Sequence, residues 1–371
     1  MHVFDQPVLV TRPYLPPLEE FQRGLEEVWA NRWLTNNGPV LKRFHGALSS
    51  YLDVPETNLA LFNNGTLALE LGFYALGLSG GDVITTPFTF VATSHALKRI
   101  GAQPVFADVD PETLCLSPEA AEKYITSRTR AIVPVHVYGH PCDVEGFARL
   151  GEKYGVKIVY DAAHAFGTGL QAYGDMSMFS FHPTKLFHSC EGGLLAFADA
   201  ALQETLFNLR NFAIRGELEC VDVGSNAKMN ELQALMGCSC LKAIGPILAS
   251  RAEIHAAYRE AFADEKRVTF PDPARFSRGV PAGFAPNYAY CPVLFADNAT
   301  RERVYAGLKA ANVFTRRYFY PLLTDFGPYV YGRGTCPVAE DAAGRVLTLP
   351  TYFGLTADDA RAIARNVLEL L

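Results

Sequence analysis

The sequence lacks any apolar run that approaches the roughly 20 residues needed to cross a bilayer as a helix. Its first stretch, residues 1–17, also lacks the basic segment followed by an apolar one that is typical of a secretory signal peptide. From these two absences we expect a protein without a membrane span and with a cytoplasmic location.

The sequence also lacks clustered cysteines. Its eight cysteines are scattered, and only Cys238 and Cys240 lie close together, inside an apolar helical pattern that is a poor signature for a metal site. We therefore expect free, mostly buried thiols and no bound metal.

Runs of Lys and Arg are missing as well, and the formal net charge is -6. Without a basic face that could follow a phosphate backbone, the composition argues against a nucleic-acid partner. What the chain does have is 49% hydrophobic and 19% charged residues over 371 positions, which is typical of a globular protein with a substantial core.

Short apolar runs alternate with segments of helical spacing through the first two hundred residues. The apolar runs lie at 59–62, 83–87, 104–109, 131–139, 156–163, 176–182 and 193–199. This alternation predicts an α/β fold with a largely parallel sheet covered by helices on both faces. In such sheets ligands bind at the loops that follow the carboxyl ends of the strands.

The pattern changes after about residue 245. A Pro/Gly-rich connector at 270–287 precedes one strand at 287–296 and helical patterns at 301–312 and 356–371. We predict a large domain over residues 1–245, whose N-terminal segment packs on the second domain, and a small C-terminal α+β domain over residues 246–371.

Two of the predicted strand-end loops suit the phosphate and the ring of a cofactor. Gly65 and Thr66 would begin a helix, where free N–H groups favour a phosphate, although such residues also simply cap helices. Phe90 could stack on a flat heteroaromatic ring or be an ordinary core residue.

Two further loops carry an acid and an amine. Asp161 ends a buried strand, so it needs a partner such as a protonated pyridine nitrogen or a salt bridge. Lys185 follows Ser180 and Pro183 on an irregular loop, where an amine can have a lowered pKa and bond covalently to an aldehyde; the alternative is a surface charge. Because the separation of Asp161 and Lys185 leaves room for one strand, both can face one cleft, and the combination indicates pyridoxal 5'-phosphate (PLP).

Through nearly its whole length the sequence resembles the sugar-nucleotide aminotransferases of the DegT type, which have the aspartate aminotransferase fold (fold type I). The segments that carry the resemblance are WLTNNGP, GDVITTPFTFVAT, FADVDPETL, VPVHVYGHPCDV, YDAAHAFG, SFHPTKLFHSCEGG, NAKMNELQA and LTLPTYFGLT.

The resemblance implies a PLP enzyme and a role for each of several residues. It makes Lys185 the residue that holds PLP and Asp161 the partner of the pyridine nitrogen. It places Phe90 over the ring, His164 beside it, and Gly65, Thr66 and Ser180 around the phosphate. It assigns Asn226 to the phosphate in the neighbouring subunit, which implies a homodimer with shared active sites.

The resemblance also implies a substrate. The NNGP and YGHPCDV segments are similar to those of transaminases that make dTDP-4-amino-4,6-dideoxyglucose from dTDP-4-dehydro-6-deoxyglucose, with L-glutamate as the amino donor. Transfer to C3 of the sugar, a UDP or GDP carrier, and a non-catalytic regulatory protein of the same fold remain alternatives. Residues expected to contact substrate are Thr35, Asn36, Tyr318 and Tyr320, with Arg215 as a candidate for the donor carboxylate.

Overall fold

A seven-stranded mixed sheet forms the centre of the larger part of the chain. The computed structural model describes residues 1–171, 173–271 and 281–371. The strands of the large sheet are β2 (Leu59–Phe62), β3 (Asp82–Thr85), β4 (Gln103–Phe106), β5 (Thr129–Ile132), β6 (Lys157–Asp161), β7 (Met176–Ser180) and β8 (Gly193–Phe197). Their spatial order is β2-β8-β7-β6-β5-β3-β4.

All strands of this sheet except β8 run in the same direction. The pairs from β7 to β4 are parallel, and β8 is antiparallel to both β7 and β2, so β2 points the same way as β7. Every residue of β2 and β8 is buried, as expected for strands covered on both faces. This confirms the predicted α/β fold with a mostly parallel sheet.

One predicted strand is shorter than its apolar run. The run at 131–139 forms a strand only as far as Ile132, and Val137–Gly139 is a turn of 3-10 helix. Pro134 explains the early end, because a proline has no N–H to donate to a central strand ladder. Its carbonyl still accepts the N–H of Asp161 at 2.9 Å, which ties this segment to the end of β6.

The helices cover the large sheet and connect it to a smaller part of the structure. They are α1 (Leu18–Asn31), α2 (Pro39–Leu52), α3 (Gly65–Ala75), α4 (Val91–Arg99), α5 (Pro118–Glu122), α6 (Val144–Tyr154), α7 (Leu202–Leu209), α8 (Glu231–Lys242), α9 (Ile244–Ala261), α10 (Asn298–Ala310), α11 (Pro337–Arg345) and α12 (Ala357–Leu370).

A second, smaller sheet is antiparallel and has its own core. It has the order β11-β12-β14, formed by Val268–Thr269, Cys291–Phe295 and Val346–Leu349. Val293, Leu347 and Ile363 are fully buried in this core, together with Tyr258 from α9. The strand β1 (Val8–Leu9) pairs in parallel with β13 (Val313–Phe314), so the N-terminal segment lies against this part of the chain. Half of the predicted connector at 270–287, residues 272–280, lies outside the described residues.

A carboxylate from a distant helix caps the start of α2. Glu231, the first residue of α8, is 1% exposed, and its two oxygens accept the N–H groups of Val40 at 2.8 Å and Leu41 at 3.0 Å. These N–H groups have no acceptor within their own helix, and a negative charge is favourable at a helix N-terminus. The contact therefore fixes α2 against α8.

In the described part of the chain, no single helix is both long enough and apolar enough to cross a bilayer. By length and composition only, α8 and α9 together reach the required apolar length, but the pair is bent by 60° where the two helices meet.

Candidate active site

A cavity of about 1120 Å³ lies beyond the carboxyl ends of the parallel strands. Asp161 is the last residue of β6, Ser180 is the last residue of β7, and α3 starts three residues after β2. The predicted site residues that line this cavity are Thr35, Gly65, Thr66, Phe90, Asp161, His164, Ser180, Lys185, Asn226 and Tyr318. The fold thus brings together residues that are widely separated in the sequence.

Asp161 is buried, and both of its carboxylate oxygens have donors. Oδ2 accepts the hydroxyl of Thr93 at 2.6 Å, and Oδ1 accepts the N–H of Ala163 at 3.1 Å. Burial raises the pKa of Asp161, while the two hydrogen bonds and the positive charge of Lys185 act in the opposite direction. The site therefore contains a carboxylate whose charge is costly to bury and is stabilised by specific neighbours.

Lys185 lies on the loop after β7 and faces the same cavity. Its amine donates a long hydrogen bond to the hydroxyl of Tyr290, with 3.4 Å between the two atoms. Burial lowers the pKa of the amine, against the charges of Tyr318 and Asp161, which raise it. A lowered pKa increases the neutral fraction of the amine, which is the form that attacks a carbonyl carbon.

The start of α3 has the features of a phosphate site. The first N–H groups of the helix, at Gly65 and Thr66, have no acceptor within it, whereas the Asn64 side chain caps the N–H of Leu67 at 2.9 Å. A Cβ atom at Gly65 would lie 3.2 Å from the Cβ of Ser180 and 3.1 Å from the Sδ of Met178. Glycine at position 65 therefore allows the helix to approach the end of β7 closely.

Aromatic side chains form the remaining walls. Phe90, at the N-terminus of α4, is 58% exposed although it lines the cavity, so its ring face is available to a ligand. The His164 ring lies 4.5 Å from the Tyr290 ring, and its Nδ1 accepts the N–H of Tyr138 at 3.1 Å. Burial, together with the charge of Lys185, lowers the pKa of His164 well below its ordinary value. The ring is therefore neutral, with its proton on Nε2.

Tyr290 belongs to a segment that a buried amide fixes to the large sheet. Asn287 is 2% exposed, and its side-chain N–H groups donate to the carbonyl oxygens of His164 at 2.8 Å and Phe166 at 3.0 Å. Its Oδ1 accepts the N–H of Ala289. Asn287 therefore holds the residues before β12 against the loop that carries His164.

Three predicted substrate residues are not among the residues that line the cavity. Arg215 lies in an exposed hairpin of β9 (Ile214–Arg215) and β10 (Glu219–Cys220), where it forms a two-pronged ion pair with Glu219 at 2.8–2.9 Å. The guanidinium carbon of Arg301 lies over the Tyr320 ring, 4.5 Å from the centroid of the ring. Asn36 adopts a left-handed conformation (φ 61°) in the exposed segment before α2.

Asn226 lines the cavity of its own chain, although it was predicted to serve the neighbouring subunit. Its Oδ1 accepts the amine of Lys228 at 2.9 Å, and Lys228 also lines the cavity. The assignment of Asn226 to a neighbouring subunit stays a prediction.

Among the residues that sequence reasoning missed are Lys228 and Tyr290, which line the cavity, and Thr93, which contacts Asp161. Thr93 is the last residue of the recognised segment GDVITTPFTFVAT, which could have drawn attention to it. Tyr290 gave no signal of its own, since a tyrosine in an apolar strand pattern is an ordinary core residue. Lys228 follows Asn226 by two positions within a recognised motif, and that spacing could have drawn attention to it.

The fold and the cavity together define an enzyme of the aminotransferase class. An amine with a lowered pKa and a buried carboxylate share a cleft with a helix N-terminus suited to phosphate, at the edge where parallel sheets bind ligands. The residues present therefore fit PLP.

Comparison with known proteins identifies the family. The model of the DegT/DnrJ/EryC1/StrS aminotransferase family matches residues 18–368, and the chain belongs to this family. It is similar to the dTDP-4-amino-4,6-dideoxy-D-glucose transaminase of Shigella dysenteriae, with 39% identity over 99% of this chain and 100% of the relative.

Solved structures agree with this assignment. The crystal structure of DesI in the presence of its TDP-sugar product has a TM-score of 0.90 and 36% identity, covering 99% of this chain and 93% of DesI. NtdA from Bacillus subtilis, solved with bound cofactor PMP, has a TM-score of 0.84 and 25% identity, covering 95% of this chain and 81% of NtdA.

Proposed function

We propose that this chain is a PLP-dependent aminotransferase that transfers an amino group to a nucleotide-linked keto-sugar. The observation that carries the proposal is that Lys185 and Asp161 line one cavity, the first with a lowered pKa and the second buried. When bound, PLP supplies an aldehyde that bonds to amines and a ring that withdraws electrons from the neighbouring carbon.

Each residue of the site has a physical role in this proposal. Lys185 would hold the aldehyde covalently, and its amine would take the proton from the α-carbon of the amino donor. Asp161 would stabilise a proton on the pyridine nitrogen. Gly65, Thr66 and Ser180 would bind the phosphate. Phe90 and His164 would contact the ring and orient it in the cleft.

The substrate is proposed to be dTDP-4-dehydro-6-deoxyglucose, aminated at C4 with L-glutamate as the donor. Two observations support this choice. The cavity of about 1120 Å³ exceeds the range of roughly 300–1,000 Å³ that is usual for drug-sized ligands, so it has room for a nucleotide-linked sugar beside a cofactor. The Shigella relative and DesI are named for a dTDP-linked amino sugar and a TDP-sugar product.

The functional unit is proposed to be a homodimer with shared active sites. The hairpin just before Asn226 exposes apolar side chains that a second copy would cover, with Leu218 at 99%, Val223 at 81% and Phe212 at 48% exposure. Mixing Lys185→Ala with Asn226→Ala subunits tests the sharing. If Asn226 acts across the interface, mixed dimers regain one intact site and activity returns; if it acts within its own chain, the mixture stays inactive.

The substrate proposal is tested by product analysis. The protein, loaded with PLP, is incubated with L-glutamate and, separately, with 4-keto and 3-keto sugars on dTDP, UDP and GDP carriers. We expect an amino sugar from dTDP-4-dehydro-6-deoxyglucose, identified by mass and by NMR assignment of the aminated carbon. Faster turnover of a 3-keto sugar, or of a sugar on another nucleotide carrier, would contradict the proposed substrate and identify that compound in its place. A colourless protein that fails to take up PLP would refute the proposed function altogether.

A further inference from the structure

Two threonine hydroxyls and a carboxylate form a buried chain of hydrogen bonds at the wall of the cavity. The Oγ1 atoms of Thr89 and Thr93 are 2.9 Å apart, and Oγ1 of Thr93 is 2.6 Å from Oδ2 of Asp161. Exposure of the three side chains is 4%, 0% and 5%. Thr89 and Asp161 line the cavity, whereas Thr93 stands behind them and is not among its lining residues.

The direction of this chain follows from the number of protons. A hydroxyl has one proton to donate, and an ionised carboxylate can only accept. Thr93 is also 3.3 Å from the carbonyl oxygen of Phe90, but the contact with Asp161 is shorter and involves a charge. Thr93 therefore donates to Asp161, and the bond between the two threonines is donated by Thr89.

This direction stabilises the charged form of the carboxylate. Two hydroxyl dipoles in series point toward Oδ2, while the N–H of Ala163 points toward Oδ1. Hydrogen bonds to the charged form of an acid oppose the effect of burial. They also fix the plane of the carboxylate, which leaves its remaining lone pairs for a donor in the cavity.

We propose that Thr93 is a positioning residue, which acts through Asp161 to keep that carboxylate ionised and oriented toward the nitrogen of the cofactor ring. The inference rests on the proposed PLP-dependent function and deepens it. Because Phe90 and Thr93 belong to one turn at the start of α4, the same turn sets both the aromatic face and the acid of the site.

The test uses Thr93→Val, which keeps the shape of the side chain and removes its hydroxyl, and Thr93→Ser, which keeps the hydroxyl. The 15N chemical shift of PLP labelled at the ring nitrogen is measured in each holoenzyme at one pH. We expect the valine variant to move the shift toward that of an unprotonated ring, and the serine variant to restore it. We also expect kcat to fall roughly 10- to 100-fold in the valine variant, as for the loss of a hydrogen bond to a charged group, with little change in KM for the sugar.

Thr348→Val is the matched control. Thr348 is fully buried in β14, and its hydroxyl has no hydrogen-bond partner, so its removal should leave the 15N shift and kcat unchanged. If Thr93→Val fails to fold, Thr89→Val removes the outer hydroxyl instead and should move the shift less, in the same direction.

The outcomes separate this inference from the proposed function. A Thr93→Val or Thr89→Val holoenzyme that binds PLP with an unchanged 15N shift overturns the role of the hydroxyl chain and leaves the aminotransferase proposal standing. A wild-type protein that does not bind PLP overturns both.

Discussion

The hydroxyl of Tyr290 lies 3.4 Å from the amine of Lys185, although 105 positions separate the two residues in the sequence. Tyr290 directly precedes β12 of the small sheet, whereas Lys185 follows β7 of the large sheet. The amine thus has a hydrogen-bond acceptor that the segment before the small sheet supplies.

Tyr290→Phe should lower kcat about 5-fold, because it removes a hydrogen bond worth about 1 kcal/mol from the free amine of Lys185. KM for the sugar should change little. Tyr258→Phe is the control: it removes a buried hydroxyl that donates to the carbonyl oxygen of Pro350 at 3.1 Å, outside the cavity. Steady-state kinetics check both variants, and equal kcat values for the two would contradict a role for Tyr290.

Lys185→Ala should abolish turnover and remove the yellow absorption of the holoenzyme, because Lys185 is the amine that bonds to PLP in the proposed mechanism. Amino transfer from L-glutamate and the visible spectrum measure the two effects. Retention of either property by the alanine variant would show that Lys185 does not hold PLP.

Acid should destabilise the protein through two histidines, His136 and His255. Burial lowers the pKa of His136 and of His255 from 6.5 to about 3 in the folded state. Between these values the unfolded chain binds more protons, so their contribution to stability is complete above pH 6.5 and is lost as the pH falls toward 3. At pH 5 each histidine should cost about 2 kcal/mol of unfolding free energy.

Urea unfolding of wild type and of His136→Asn at pH 7 and pH 5 measures this effect. The variant keeps an acceptor for the N–H of Cys142, which His136 Nδ1 accepts at 3.0 Å, but it has no titrating ring. We expect a smaller loss of stability between the two pH values in the variant. An equal loss of unfolding free energy in wild type and variant would show that His136 does not contribute to the acid sensitivity.

Glu231→Ala should lower the free energy of unfolding by about 2–4 kcal/mol, because the N–H groups of Val40 and Leu41 lose a charged acceptor within a buried contact. Glu231→Gln should have a smaller effect, since one acceptor oxygen remains. Glu19→Ala, on the exposed side of α1, is the control and should change stability by less than about 0.5 kcal/mol. Denaturant midpoints measure all three, and similar values for the alanine variants at 231 and 19 would contradict the capping role.

Local sequence signals predicted the framework of the molecule. Strand-length apolar runs indicated the parallel sheet, and the unusual residues in four of the loops at strand ends placed Asp161 and Lys185 at its carboxyl edge. Such signals are local because a strand and the residue that ends it are neighbours in the chain. The strand predicted over 131–139 was too long because the pattern of apolar residues ignores the missing N–H of Pro134.

Contacts between distant segments were beyond the reach of the sequence. Thr93 and Asp161 form a hydrogen bond although 68 positions separate them in the sequence, and Tyr290 and Lys185 do so at a separation of 105 positions. Both depend on how helices and sheets pack, which composition and periodicity do not report. Arg215 was predicted only as a candidate for the donor carboxylate, and the structure shows that its charge pairs with Glu219 on the adjacent strand of the hairpin.

Asn287 has a consequence for how this cleft can open. Its side-chain amide donates hydrogen bonds to the carbonyl oxygens of His164 and Phe166. The segment that leads to Tyr290 is therefore held in a fixed position relative to the large sheet. A movement of the small sheet relative to the large one would then need its hinge after Tyr290, so that the hydroxyl of this tyrosine stays within hydrogen-bonding distance of the Lys185 amine.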